Sequence, residues 1–142
     1  MGMICRAEER DAPLLAELMS QLGYPTTARD MSDRQRAILR DQNFATFVAV
    51  EGDDILGMIG VSISPSYEHN DRTGRIVALV VAEKIRRRGI GRDLIGAAEN
   101  YFRRQKIVRV VLNTRLEREV AHGFYQTLGY VRTGFRFAKQ LT

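Results

Sequence analysis

The sequence predicts an α/β protein of the α+β kind, with a mixed, mostly antiparallel sheet of about seven strands flanked by about four helices. Three observations carry this expectation. From Phe44 to Ser64 the apolar residues recur with period two, interrupted by Gly52-Asp53-Asp54, which makes a hairpin of two antiparallel strands. Ile76 to Ala82 is an unbroken apolar run, too short for an independent helix and suited to a strand buried on both faces. Beyond it the period becomes helical, and a second apolar run at Val108 to Leu112 completes a strand-helix-strand unit whose right-handed crossover implies parallel neighbours.

Met3 to Ala7 is a short first strand. Asp11 caps a helix with Leu14, Leu15, Leu18, Met19 and Leu22 inward, and Gly23 with Pro25 stops it. Tyr24 to Thr27 is a turn. Ser32 opens a second helix whose apolar contacts come from Ile38 and Leu39, a loosely anchored element of the kind that serves as a lid. After the hairpin, Pro65 to Gly74 reads as a polar loop. The helix after the central strand runs from Gly91 to about Lys106, with Leu94, Ile95, Ala98, Phe102 and Gln105 along one side. A last helix, Arg118 to Leu128, turns Val120, Ala121, Phe124 and Leu128 inward and ends at Gly129. Tyr130 to Thr133 and Phe135 to Leu141 are closing strands, with Phe135 and Phe137 on one face. No repeat or linker interrupts this order, so residues 1–142 are expected to form a single domain.

A chain of 142 residues suffices for one real core and would be crowded as two. Its hydrophobic share of 44% against 27% charged excludes a disordered or fibrous chain. Cys5 is the only cysteine, which excludes an internal disulfide framework and favours a reducing compartment. With no histidine near it in sequence, Cys5 reads as a small buried hydrophobe and not a nucleophile. No apolar run approaches a membrane span, and the N-terminus lacks a signal-peptide layout; a cytoplasmic protein without a membrane partner is expected. Myristoylation is excluded by Arg6, which stands where Ser or Thr is needed. Lys and Arg number 22 against 17 acidic residues, a net charge of +5 that favours an anionic partner such as nucleic acid, phospholipid or a phosphorylated cofactor.

Chemistry concentrates where the central strand turns into its helix, at E-K-I-R-R-R-G-I-G-R. The first amides of a helix lack internal partners and carry the positive end of its dipole, so this corner suits an anion. Arg86, Arg87 and Arg88 add charge, and Gly89 and Gly91 remove side chains that would hold a phosphate away. A dinucleotide fingerprint would require glycine at Leu94, and a mononucleotide P-loop would require Lys and Ser or Thr at Ala97 and Ala98. Both fail, leaving R-x-x-G-x-G from Arg86 to Gly91.

That stretch resembles motif A of the GNAT N-acetyltransferases, whose R/Q-x-x-G-x-G/A loop wraps the pyrophosphate of acetyl-coenzyme A. A second segment, A-H-G-F-Y-Q-T-L-G-Y from Ala121 to Tyr130, is similar to the family's late A-x-x-F-Y-x-x-x-G-F/Y motif, and the order of elements matches the family fold. The resemblance implies an N-acetyltransferase that uses acetyl-coenzyme A and no metal, and acetylates a primary amine of a small molecule or peptide by direct attack in a ternary complex. It implies that strands four and five splay, with pantetheine pairing to the backbone of Leu79 and Val81 along Leu79-Val80-Val81. The Val81 amide would face the thioester oxygen, and such preorganised donors are worth ~3–4 kcal/mol. The phosphates would sit on the amides of Arg86, Arg87, Arg88, Gly89, Ile90 and Gly91, with Arg92 beside them. Tyr125 matches the family's general acid, a phenol with a reference pKa of about 10 that stays protonated at neutral pH; periodicity alone reads it as packing beside Phe124.

The sequence also departs from the family. Relatives often carry a glutamate base on the central strand, where Arg75 and Val77 stand here. Glu68 and His69 in the preceding loop, or a water chain to solvent, are the substitutes. His122 lies one turn before Tyr125 and is placed to order it or to be a plain surface residue. Glu83 replaces a frequent proline at the loop entry. Arg118 replaces a cofactor-contacting asparagine, for which Asn113 is a stand-in. The three arginines also have a simpler reading as a solvated surface, with Arg87 and Arg88 doing no more than lying near the adenosine 3′-phosphate. Two other functions compete: a coenzyme A sensor without catalysis, consistent with the missing strand carboxylate, and a nucleic-acid binder, disfavoured because no aromatics interleave with the arginines. The acceptor pocket is expected from the first two helices, the Pro65 to Gly74 loop and the Tyr130 to Arg136 region, and a homodimer through the closing strands is possible.

Overall fold

The computed structural model describes residues 3–85, 88–113 and 119–142. Two compact units are present, Met1–Val111 and Leu112–Thr142. The first holds β1 (Met3–Arg6), a 3-10 turn (Glu9–Asp11), α1 (Ala12–Leu22), α2 (Ala28–Arg40), β2 (Phe44–Glu51), β3 (Asp54–Pro65), β4 (Arg72–Val81), a second 3-10 turn (Glu83–Ile85) and α3 (Ile90–Arg104). β5 (Val110–Leu112) has its first two residues in this unit and Leu112 in the second, to which α4 (Glu119–Thr127) also belongs. The sheet runs β1-β2-β3-β4-β5, and the β1-β2, β2-β3 and β3-β4 pairs are antiparallel. The fold class is as expected, with five strands among the described residues in place of about seven.

The two missing strands are the closing pair. Residues 130–142 form no strand, and Val131, Phe135, Phe137 and Leu141 are 80%, 74%, 92% and 86% exposed. Alternation alone does not make a strand, because the backbone donors and acceptors need a neighbouring edge.

Each face of the sheet carries its own helices. On one, α1 and α2 pack Leu15, Ala16, Leu18 and Met31 against Val48, Met58 and Val80. On the other, α3 buries Leu94, Ile95, Ala98, Tyr101 and Phe102; Tyr101 meets Phe47 edge-on at 5.7 Å between ring centroids, and the Arg6 guanidinium covers both rings. Tyr101 therefore takes the inward place expected of Gln105, which is exposed. The β2-β3 hairpin turns through Gly52 at φ +61°, as the sequence predicts.

Several boundaries shift for local reasons. Gly23 ends α1 in the left-handed region, φ 112°, with its N–H bonded to Met19 and Ser20 carbonyls. Asp11 is at the N-cap of α1, but its carboxylate accepts from the Glu8 N–H at 2.8 Å and caps nothing in that helix. α2 begins four residues before Ser32 because the Thr27 hydroxyl accepts from the Asp30 N–H at 3.1 Å. Its buried side chains are Met31 and Gln35, while Leu39 is 43% exposed. It is also clasped to the first 3-10 turn: the Gln35 amide donates to the Glu8 carbonyl, and Arg36 pairs with Glu9 at 2.9 Å. That hydrogen bond and the Glu9 charge hold the Arg36 guanidinium above its usual pKa. β4 starts at Arg72, so the loop before it spans only 66–71, and β5 starts at Val110, leaving Val108 77% exposed. Cys5 is exposed on β1, the outermost strand on that side of the sheet, which corrects the expectation of a buried thiol.

Candidate active site

The backbone of β4 organises the site. The pairing Gly60 with Ala78 followed by Val61 with Ile76 leaves Val77 as an extra residue, a β-bulge, and its side chain is 52% exposed. β4 is thus not buried on both faces: Arg75 is exposed, and Ala78, Leu79 and Val81 are half-buried. The directions of its amides follow from two bonds. The Ala82 N–H reaches back to the Leu56 carbonyl at 2.8 Å, and the Gly74 N–H reaches the Arg109 carbonyl, just before β5, at 3.0 Å. Because the polar groups of successive strand residues alternate between edges, those of Leu79 and Val81 turn away from β3, toward the edge that β5 occupies, while those of Val80 turn to β3.

The corner beyond β4 is held from several sides. The Glu83 N–H donates to Gln21 Oε1 of α1 at 3.0 Å, a bond that a proline in this place would lack. The Ile85 N–H closes on the Ala82 carbonyl at 3.1 Å. Gly89 is the N-cap of α3 with φ +81°, a left-handed conformation that L side chains rarely adopt, and no side chain caps the helix. A Cβ on Gly89 would find no atom of the described residues within 4 Å, so among them the space over this turn is open. Arg88 and Arg92 are exposed, and Arg88 reaches Glu51 on the hairpin at 3.9 Å. Arg86 and Arg87 lie outside the described residues, as does Arg118.

Gly57 brings α3 down onto this corner. A Cβ there would stand 2.9 Å from the Val80 carbonyl oxygen, 3.0 Å from Leu94 Cδ1 and 3.4 Å from Ile90 Cγ2. The first turn of α3 approaches the sheet this closely only because residue 57 has no side chain. Sequence reasoning passed over Gly57 and Gln21; an isolated glycine inside a strand pattern was the available signal for the first, while nothing local marks the second.

The other expected residues lie on other elements of the two units. Glu68 and His69 are exposed in the loop before β4, where the Ser66 hydroxyl accepts from both of their N–H groups at 3.1 and 3.2 Å and contacts the Glu68 carboxylate at 3.2 Å. Seven strand steps from Arg72 to Leu79, at about 3.3 Å each, put the end of this loop roughly 23 Å from the Leu79 backbone. In the second unit Tyr125 is half-buried on α4, its ring packed against Phe124 and Tyr130 at 5.3 and 6.1 Å between centroids. His122 is half-buried one turn earlier, and Gly129, φ +93°, ends the helix as expected. Asn113 is exposed directly after β5. Among the described residues no group of three or more His, Cys, Asp or Glu could hold a metal ion, and no helix is long and apolar enough to cross a membrane.

The comparisons with known proteins place this five-stranded sheet, with its bulged fourth strand and glycine-led helix, in a family. Residues 12–130 match the model of the acetyltransferase (GNAT) family, and the chain belongs to that family. It is 32% identical to aminoalkylphosphonate N-acetyltransferase of Salmonella typhimurium over 129 residues, 90% of this chain and 81% of that protein. Human N-acetyltransferase 8 is 27% identical over 79% of this chain, which spans 49% of that protein's length. A solved aminoglycoside N-acetyltransferase in complex with CoA superposes with a TM-score of 0.88 at 18% identity, covering 100% of this chain and 96% of that one.

Proposed function

We propose that this chain is an acetyl-coenzyme A-dependent N-acetyltransferase whose acceptor is a primary amine on a small molecule carrying an acidic group. The observation that carries the reading is the β4 backbone: the polar groups of Leu79 and Val81 turn to the edge away from β3, ahead of an open, glycine-led α3 N-terminus. Family membership supplies the rest. Pantetheine pairs with Leu79 and Val81, and the Val81 amide polarises the thioester carbonyl. The pyrophosphate rests on the amides from Arg86 to Gly91, beside Arg92. The neutral amine attacks the thioester carbon, a C–N bond forms, the C–S bond breaks, and the Tyr125 hydroxyl gives its proton to the departing thiolate. Glu68 and His69 sit in the loop at the far end of β4, so the amine proton leaves through water, to them or to bulk solvent.

The acidic acceptor is suggested by the aminoalkylphosphonate enzyme of Salmonella and suits an exposed Arg75 on β4. The same strand favours a second reading. With Arg75 and Val77 in place of a carboxylate, the protein binds coenzyme A as a sensor and turns over slowly or not at all. Thiol release from acetyl-coenzyme A, measured with aminoalkylphosphonates, amino acids, polyamines and aminoglycosides against a no-amine blank, separates the two. Turnover above blank with acidic amines supports the acceptor class, and turnover only with cationic amines refutes it. No turnover anywhere with intact coenzyme A binding leaves the sensor.

A further inference from the structure

We propose that Gln21 is a positioning residue for coenzyme A binding, fixing the direction in which the chain leaves β4; this rests on the reading of the corner beyond β4 as the coenzyme A site. The peptide that joins Ala82 to Glu83 lies between the end of β4 and the 3-10 turn Glu83–Ile85. Both of its polar groups are bonded. Its carbonyl accepts from the Ile85 N–H at 3.1 Å, and its N–H, that of Glu83, donates to Gln21 Oε1 at 3.0 Å. One residue earlier the Ala82 N–H is held by the Leu56 carbonyl of β3 at 2.8 Å. A peptide is planar, so bonds on its two sides set the orientation of the whole unit. The Leu56 and Ile85 bonds are main chain to main chain and would form with almost any sequence; the third depends on one side chain. Among the described residues no other side chain bonds to the backbone of Ala82 to Ile85.

Gln21 can hold this place because the last turn of α1 is itself tied down. Leu18 is buried, and Met19 and Leu22 pack against the same core, while Gln21 is exposed. Beside it the Ser20 hydroxyl donates to the Ala16 carbonyl at 3.0 Å and accepts from the Thr26 N–H at 3.1 Å. Thr26 Oγ1 accepts in turn from the Arg34 guanidinium of α2 at 3.2 Å. The end of α1 is thereby anchored to the α1–α2 turn and to α2, and the Gln21 side chain is the strut from that base to the strand exit. Without Oε1 the Glu83 N–H turns to water, and the exit is left to its main-chain bonds. The chain that runs on from this turn to Gly89 carries the amides on which the pyrophosphate is proposed to rest, so a looser exit is read as weaker coenzyme A binding.

The test is coenzyme A calorimetry on the full chain, joined to a thermal melt and to amide exchange followed by NMR. Gln21→Met keeps the length and helix propensity of the side chain and removes its oxygen. It should leave Tm within about 2 °C and speed exchange of the Glu83 amide by about tenfold or more. Coenzyme A binding should weaken roughly three- to tenfold, the span of one net hydrogen bond. Gln21→Glu keeps an acceptor oxygen at the same reach and should hold the Glu83 amide at its wild-type exchange rate. Wild-type exchange and affinity in Gln21→Met overturn the proposal. So does a loss of affinity in Gln21→Ala that Gln21→Met does not share, since the stem and not the oxygen would then be at work. A fall in Tm of more than about 5 °C in Gln21→Met, with all of α1 exchanging faster, makes Gln21 a stabiliser of its helix and also overturns it. If the wild type binds no coenzyme A, the reading of the corner fails, and Glu83 exchange in Gln21→Met and Gln21→Glu decides alone whether Gln21 fixes the strand exit.

Discussion

Gly57→Ala is the most discriminating single change, because it adds one methyl at the point where β3, β4 and α3 meet. The methyl would sit 2.9 Å from the Val80 carbonyl oxygen and 3.0 Å from Leu94 Cδ1. Neither neighbour has room to give: the first is main chain in a paired strand, and Leu94 is 0% exposed. The first turn of α3 must therefore lift from the sheet by several tenths of an ångström. Overpacking of this kind costs about 1–3 kcal/mol, offset by under ~1 kcal/mol from the smaller unfolded-state entropy of alanine. An unfolding entropy of about 2.1 cal/mol/K per residue gives ~0.3 kcal/mol/K for the chain, so a net loss of ~1–2 kcal/mol lowers Tm by roughly 3–7 °C. The lifted turn also displaces the amides of Ile90 and Gly91, so coenzyme A affinity should fall several-fold by calorimetry well below Tm. Gly96→Ala on the same helix is the control, since its Cβ meets nothing within 4 Å; there the helix propensity of alanine should raise Tm slightly. Equal Tm and equal coenzyme A affinity for Gly57→Ala and the wild type would falsify the close-approach reasoning.

Gly89→Val places a β-branched residue at φ +81°, which costs about 1–2 kcal/mol of backbone strain, and it should abolish coenzyme A binding in a calorimetric titration. Arg88→Ala should weaken binding less than about threefold, because that side chain is exposed and directed to Glu51; a larger loss would move the binding energy from the amides to the charge. Tyr125→Phe should lower kcat by about 10²-fold or more with the KM for acetyl-coenzyme A unchanged, and an unchanged kcat would remove the phenol from the mechanism. Lys106 has φ +62° just past α3, so Lys106→Gly should exchange a strain of about 1–2 kcal/mol for a smaller entropy cost and raise Tm by a degree or two in a thermal melt.

Features that rest on local chemistry were legible in the sequence. The β2-β3 hairpin follows from alternation around Gly52, and Gly23 and Gly129 end their helices in the left-handed region as their positions suggest. α3 was placed within two residues at each end by its period. What the sequence concealed depends on partners distant in the chain. The early start of α2 hides in Thr27, whose hydroxyl could equally have belonged to the preceding turn. Tyr101 looked polar by its tip, yet its ring is inward because Phe47 and Arg6 form a place for it. Phe135 and Phe137 carry strand periodicity, yet residues 130–142 form no strand and both side chains are exposed. At the site, the strand-to-helix corner was readable from glycine spacing. The bond from Glu83 to Gln21 joins positions 62 residues apart and leaves no pattern to read.

The bulge at Val77 sets where β4 can change length. Residues on either side of it keep their faces and their pairing partners, Ile76 opposite Val61 and Ala78 opposite Gly60, with Val77 counted by neither. Elsewhere in the strand, gaining or losing one residue would exchange the faces turned to α1 and α3 and put Val80 where Leu79 belongs. At position 77 the alternation is indifferent to that residue. Natural variation in strand length among relatives of this chain is therefore expected to collect there, and a one-residue gap at 77 in a sequence comparison marks a straighter strand and not a different core.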